Sequence, residues 1–242
     1  IFALVLAAIC VLFSALLRLN ILFQPNSFDI LAWTFLYFCV LKYCNKEKDK
    51  WIWLAVTGFA FGILNKYNIA FQLLGLLPAL LMTRQRSLLL KPAFYWALVL
   101  AFIMLFPNLY WQYKNGFPVI HHMQELSNTQ LVNVSRTNFL KEQLLYFIGA
   151  FFVLMAGLLS LVMYTPFKKY IVLLYGFIFT MVLFLYFQAK GYYAIGLYPI
   201  FLSFGAVWFE TWTYAGWKKY VIRPVLIIIP LLLFIPMIER AF

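Results

Sequence analysis

Hydrophobic residues in this chain fall into nine long runs that are separated by short polar segments. The runs cover about residues 1–19, 30–44, 51–65, 69–83, 92–107, 143–164, 170–188, 193–212 and 224–238. A helix needs about 20 apolar residues to cross a bilayer, and backbone groups in lipid must bond internally, which favours helices. The pattern therefore predicts an all-α polytopic transmembrane helix bundle with about nine spans, forming a single domain over residues 1–242.

Basic residues cluster in alternate connections between these runs. The clustered residues are Lys42, Lys46, Lys48, Lys50, Arg84, Arg86, Lys91, Lys168, Lys169, Lys218, Lys219 and Arg223. The positive-inside rule makes these connections cytoplasmic. Asp29, Lys66, Lys190 and the long connection at about 108–142 would then face outward, provided that all nine runs span.

The composition agrees with a membrane protein. Hydrophobic residues make up 66% of the chain and charged residues only 11%, against about 25% charged in soluble domains. The net charge of +12 is placed in loops, so it indicates topology and anionic lipid headgroups rather than nucleic acid. The chain begins inside an apolar run without Met, and we expect it to be a piece of a longer protein.

The outward connection at 108–142 is too long for a simple tether, and residues 118–126 are predicted to start a short interfacial helix. It contains the adjacent His121 and His122. Neighbouring residues on a helix point in different directions, so the two make a poor metal pair. They are either surface residues or candidates for contact with a substrate.

Asp29 follows Gln24–Phe28 and precedes an apolar run. One interpretation is a helix N-cap whose charge the helix dipole also stabilises. The other is a carboxylate that faces a polar cavity and acts as a base or a substrate ligand. The two interpretations are compatible.

Two lysines have polar and aromatic neighbours at the same predicted side of the membrane. Lys66 is followed by Tyr67, and Lys190 precedes Tyr192 and Tyr193. Each lysine either reaches the interface with its charged end or binds a phosphate or a developing anion. The tyrosines either stack on a sugar ring or belong to an interfacial aromatic belt.

Five segments in order resemble one family. They are QPNSFDILAW at 24–33, GILNKYN at 62–68, FPNLYWQYKNGFP at 106–118, QLVNVS at 130–135 with FLKEQ at 139–143, and KGYYAIGLYP at 190–199. Together they resemble bacterial membrane glycosyltransferases of the dolichyl-phosphate-mannose-protein mannosyltransferase-like group, which is related to the lipid A aminoarabinose transferases. The likeness covers about residues 20–210.

The resemblance implies a GT-C fold, an inverting glycosyltransferase and a polyprenyl-phosphate-linked sugar donor. It implies catalysis on the outer, periplasmic face of a bacterial inner membrane, with a lipid, glycan or protein as the acceptor. In that family an acidic residue on the first outward loop usually acts as the base, and that loop would precede Ile1. Asp29 matches the second acidic position, Lys66 matches a later lysine, and Lys190 with Tyr192 matches the lysine–tyrosine segment.

Asp29 is thus the predicted catalytic residue. Predicted substrate contacts are Lys66, Tyr67, Lys190, Tyr192, Tyr193, His121 and His122. The sequence shows no cluster of metal ligands and leaves open whether a divalent ion assists. Two other functions remain: a lipid-linked sugar flippase or transporter, and a non-catalytic subunit that binds a lipid carrier. Charges gathered at one face, without a visible inverted repeat, favour the enzyme over the transporter.

Overall fold

The computed structural model describes residues 1–129 and 134–239, and all regular structure in that part of the chain is helical. The predicted fold class is therefore confirmed. The helices are α1 Phe2–Leu12, α2 Ala15–Ile21, α3 Asn26–Lys46, α4 Lys50–Asn65, α5 Ile69–Leu81, α6 Pro92–Lys114, α7 Pro118–Thr129, α8 Arg136–Tyr146, α9 Phe151–Met163, α10 Ile171–Tyr186, α11 Tyr198–Trp212 and α12 Trp217–Glu239. Short 3-10 helices occupy Arg84–Leu90, Ile148–Ala150, Thr165–Tyr170 and Gly191–Leu197.

The number of spans is lower than the nine predicted from the runs. Within the described residues, four helices are long and apolar enough to cross a membrane, or up to seven if each bent pair counts as one span. The run at 51–65 corresponds to α4, which has only 16 residues, fewer than the roughly 20 that a span needs. Apolar composition predicted the helices, but it did not show whether each helix is long enough to cross a membrane.

Three predicted runs contain sharp bends. The helices on either side of each break differ in direction by 62° at α1–α2, by 109° between α5 and Arg84–Leu90, and by 66° between α8 and Ile148–Met163. At the first break the buried Ser14 accepts a hydrogen bond from Leu16 N, which caps α2. A polar cap inside an apolar run starts a new helix, so the run at 1–19 is two helices.

The core is built around α3 and α11, where small residues let helices approach closely. The Cβ of any residue placed at Gly157 of α9 would overlap the carbonyl oxygen of Phe201, and one at Gly205 of α11 would overlap that of Val153. Close backbone approach at small residues is the usual way that membrane helices associate. It leaves the segment Gly191–Trp212, which joins the last 3-10 helix to α11, the most buried of the four span-length segments, with 67% of its apolar window inside the protein.

Three of the four predicted basic connections meet at one end of α3. Lys91 Nζ forms an ion pair with Asp49 Oδ1 at 2.8 Å, and Lys169 donates a hydrogen bond to Asn45. Asp29 lies in the first turn at the other end of this 21-residue helix. Each residue of an α-helix advances about 1.5 Å along the axis, so the two ends are well separated. The structure thus separates a basic end from the end that carries Asp29.

The connection predicted at 108–142 is mostly helical rather than an open loop. Helix α6 continues to Lys114, α8 begins at Arg136, and the short helix predicted at 118–126 is present as α7. Residues 130–133 of the QLVNVS segment lie outside the described part of the chain.

Candidate functional site

Asp29 lies in the first turn of α3 and does not cap it. The N-cap position is occupied by Pro25, and the Asp29 amide donates to the Pro25 carbonyl within the helix. The cap interpretation is therefore wrong, because the helix begins at Asn26, four residues before the apolar run at 30–44. The carboxylate instead turns inward: Oδ1 accepts from Trp33 Nε1 at 3.0 Å and Oδ2 accepts from Asn68 Nδ2 at 3.3 Å.

Lys66 faces this carboxylate from the connection between α4 and α5. Its Nζ lies 3.7 Å from Asp29 Oδ2 and donates to Asn26 Oδ1 at 2.9 Å. The Lys66 side chain is 20% exposed and that of Asp29 only 8%. Burial lowers the pKa of Lys66, Asp29 opposes that shift, and the charge of Lys190 adds to it. The ammonium is therefore held in an environment that favours an anionic partner.

Two tyrosines complete the surroundings of this ammonium. Lys66 Nζ lies 5.0 Å from the ring centroid of Tyr192 and 4.9 Å from that of Tyr193, within the range of cation–π attraction. Both belong to the 3-10 helix Gly191–Leu197, which begins directly after Lys190. Asn68 Nδ2 donates to the Tyr193 carbonyl at 3.0 Å, which ties this segment to Asp29.

The structure thus brings together Asp29, Lys66, Tyr192 and Tyr193, with Lys190 adjacent, as the sequence analysis grouped them. Their roles toward a substrate stay predictions.

The other predicted contacts lie elsewhere. The hydroxyl of Tyr67 donates to Asn108 Oδ1 at 2.7 Å and accepts from Gln112 at 3.1 Å, so its ring is committed to α6. His121 and His122 are exposed on α7. Within the described residues, no hydrogen bond or ion pair joins either histidine to the Asp29 cluster.

Sequence reasoning missed Asn26, Trp33 and Asn68 as members of the cluster. Trp33 follows Asp29 by four residues, a spacing that places two side chains on the same face of a helix. That signal was available. Asn26 and Asn68 lay in the resembling segments, but their partners are distant in sequence: Lys66 is 40 residues from Asn26 and Tyr193 is 125 from Asn68.

A cavity of about 700 Å³ adjoins the cluster. Its polar lining includes Arg18, Gln24, Asn26, Tyr146 and Tyr192, and the rest is mainly apolar, from α2, Ile195 and Phe234. Asn26 and Tyr192 are also the neighbours of Lys66. The cavity therefore combines an apolar wall with a polar edge whose Asn26 and Tyr192 contact the half-buried Lys66, an arrangement suited to an amphipathic anion.

No group of three His, Cys, Asp or Glu side chains in residues 1–129 and 134–239 is placed to hold a metal ion.

A comparison with known protein families gives a match for the first part of the chain. The family model described as dolichyl-phosphate-mannose-protein mannosyltransferase matches residues 1–111, a range that holds Asp29 and Lys66. This confirms the resemblance over those residues. The family is one of membrane glycosyltransferases of the GT-C type, which supports transferase activity in general and a multi-pass membrane protein. Neither the curated proteins nor the solved structures gave a match.

The Asp29–Lys66 pair generates a prediction about stability. Lys66→Met should destabilise the protein because it leaves a buried carboxylate without its cation. Adding Asp29→Asn to Lys66→Met should recover part of that loss, with a coupling free energy of about 1 to 3 kcal/mol. Thermal unfolding in detergent measures both, and Lys114→Met, at an exposed position at the end of α6, is the control. Strictly additive losses would show that the two charges do not interact.

Proposed function

We propose that the protein transfers a sugar from a polyprenyl-phosphate carrier to a lipid, glycan or protein acceptor at the membrane surface. The observation that carries the proposal is the half-buried Lys66 ammonium, whose neighbours Asn26 and Tyr192 line a largely apolar cavity. The apolar wall suits a polyprenyl chain and the cation suits the phosphate. The match of residues 1–111 to a mannosyltransferase family supports the same substrate class.

In this proposal the basic residues bind the phosphate and the tyrosines bind the sugar. When the carrier's phosphate leaves the sugar it gains negative charge, which Lys66 and Arg18 neutralise. Lys190 adds positive charge near Lys66. Tyr192 and Tyr193 present rings on which a sugar can stack. This places the reaction at the Asp29 end of α3, where the sequence analysis expected it.

Asp29 has two roles to choose between. Its oxygens already accept from Trp33 and Asn68, and one faces Lys66, so the geometry favours holding the lysine in place. The predicted catalytic role, in which the carboxylate takes part in proton transfer, requires a free oxygen directed at the acceptor. This site does not support the transporter alternative. Asp29 and Lys66 lie at one end of α3, whereas a transporter binds its substrate near the middle of the membrane.

Carrier binding tests the proposal directly. The double variant Asp29→Asn, Lys66→Met should bind dolichyl phosphate about tenfold or more weakly than the wild type, since a hydrogen bond to a charged group is worth about 1.5 to 3 kcal/mol. It avoids stranding the carboxylate. Binding of tritiated dolichyl phosphate to the purified full-length protein gives the affinity.

Two controls make that measurement specific. Dolichol, which lacks the phosphate, should bind both proteins equally, and Lys114→Met should bind dolichyl phosphate normally. If the double variant binds dolichyl phosphate as the wild type does, Lys66 is not the phosphate ligand. If binding is normal but no sugar is transferred to any membrane fraction, a non-catalytic carrier-binding subunit becomes the better interpretation.

Asp29→Asn alone separates the two roles of the carboxylate. If Asp29 holds Lys66, the variant should lose affinity for the carrier while turnover at saturating carrier falls little. If Asp29 accepts a proton, turnover should fall about 100-fold or more with carrier affinity unchanged. Transfer of label from tritiated dolichyl-phosphate-mannose into membrane lipid and protein gives both constants. We expect the change in affinity, and a loss confined to turnover would restore the catalytic role.

Orientation in the membrane is a further part of the proposal, with the Asp29 end facing outward. The basic connections that meet at the other end of α3 motivate it, through the positive-inside rule. A cysteine at position 122 should react with an impermeant maleimide added outside intact cells, and one at position 48 should react only after lysis. The protein with its native cysteines alone sets the background. Labelling of position 48 in intact cells would reverse the orientation.

A further inference from the structure

Three of the basic connections form one surface at the end of α3 that lies away from Asp29, and we call this surface the basic junction. Its members are residues 42–50, 84–91 and 165–170. They contain nine basic residues and only two acidic ones. Gln85 Nε2 donates to the Lys169 carbonyl at 3.2 Å, and the Lys169 side chain donates to Asn45. These bonds join all three connections, so their charges lie close together.

Most of the positive charge of the basic junction has no counter-charge in the described part of the chain. Lys91 is paired with Asp49, which leaves one acidic residue beside eight basic ones. Arg84, Arg86 and Lys168 are exposed, and no ion pair joins any of them to another described residue. Like charges held close together repel one another, so an anion bound here would lower the free energy of the folded protein.

The 3-10 helix Arg84–Leu90 runs along the membrane surface rather than through the membrane. Its direction differs by 109° from that of α5. Helix α5 packs closely on α10, where a Cβ at Gly75 would overlap Thr180, and α10 belongs to the span-length segment Thr165–Tyr186. A segment that turns at nearly a right angle from spanning helices lies in the plane of the interface, at the level of the lipid headgroups.

Exposed apolar side chains flank this 3-10 helix at both ends. Leu81 and Met82 precede it, Leu90 ends it, and the exposed fractions of these three residues are between 61% and 79%. Tyr95 and Trp96 follow near the start of α6 and are also exposed. Tyrosine and tryptophan are enriched at the level of the headgroups. The charged surface therefore adjoins an apolar surface at the depth where a phospholipid carries its phosphate.

We propose that the basic junction binds the headgroup of an anionic phospholipid. Arg84, Arg86 and Lys168 attract the phosphate, and the flanking apolar side chains contact the first part of the acyl chains. The uncompensated charge calls for an anion, and the apolar flanks call for hydrocarbon chains, which a soluble phosphate or an acidic protein segment lacks. This lipid site lies at the opposite end of α3 from Asp29 and is independent of the proposed transfer reaction.

Retention of lipid by the purified full-length protein tests the site. In native mass spectrometry from dodecyl maltoside, the wild type should bind phosphatidylglycerol in preference to phosphatidylcholine, which carries no net charge. Arg84→Gln combined with Arg86→Gln should lower the affinity for phosphatidylglycerol about tenfold or more, because each basic residue near an anionic surface contributes roughly a fivefold gain. Lys168→Gln alone should give a smaller loss. These side chains are exposed, so the unfolding temperature in phosphatidylcholine should not change.

Lys218→Gln combined with Lys219→Gln is the matched control. It removes the same charge from the remaining basic connection, where the two lysines lie over the rings of Trp212 and Tyr220. This variant should bind phosphatidylglycerol within threefold of the wild type. Equal losses in the two double variants would show a general effect of charge and overturn the assignment to the basic junction. Equal binding of the two lipids by the wild type would overturn it as well.

Two competitors check the chemistry of the ligand. Glycerol 3-phosphate, which has the charge without the chains, should not displace bound phosphatidylglycerol at equal concentration. Displacement by it, or by a polyglutamate peptide, would assign the junction to a soluble anion or an acidic protein segment instead. The variant Asp29→Asn, Lys66→Met should bind phosphatidylglycerol normally, and a loss in that variant would place the lipid at the candidate site and not at the basic junction.

Discussion

The arrangement of this end of the bundle depends on one ion pair, between Asp29 and Lys66. Removing two charges from water costs free energy that their mutual attraction repays only when the remaining hydrogen-bonding groups are also satisfied. The structure meets that condition with Trp33, Asn68 and Asn26. Because these partners come from α3 and from the connection between α4 and α5, satisfying the pair fixes those elements relative to one another.

Close packing then attaches the segment 190–197 to the same cluster. Trp33 lies directly on Gly196, where a Cβ would come within 2.7 Å of the Trp33 Cβ. The Trp33 carbonyl also accepts from the buried Gln72 at 2.9 Å, so one residue links α3, α5 and the 3-10 helix. Helices in lipid lack a hydrophobic force that drives them together, and polar bonds of this kind, with glycine contacts, supply the specificity.

The sequence predicted the helices and most of the cluster, and the reasons for its errors are physical. Long apolar runs specify helix because lipid forbids unpaired backbone groups, but they do not reveal the bend at Ser14. Asp29, Lys66 and the segment at 190–193 lie together, as the alternation of basic segments predicted, although the described residues hold fewer than the nine spans on which that prediction depended. The alternation said nothing about direction, so Tyr67, whose side chain points to α6, was grouped with its neighbour Lys66.

The bend that lowers the span count also creates the cavity. If residues 2–21 formed one straight helix, α2 would continue along the line of α1, whereas the 62° turn at Ser14 carries it away. Residues of α2 then form much of the apolar wall of the cavity that Tyr146, Tyr192 and Asn26 also line. A cavity of about 700 Å³ has the size of a small-molecule site, and its two kinds of wall match a ligand with one apolar and one charged part. An uninterrupted helix would cross the membrane without leaving this space. The capped break at Ser14 instead provides room for a ligand near Lys66, the cation that Asp29 holds in place.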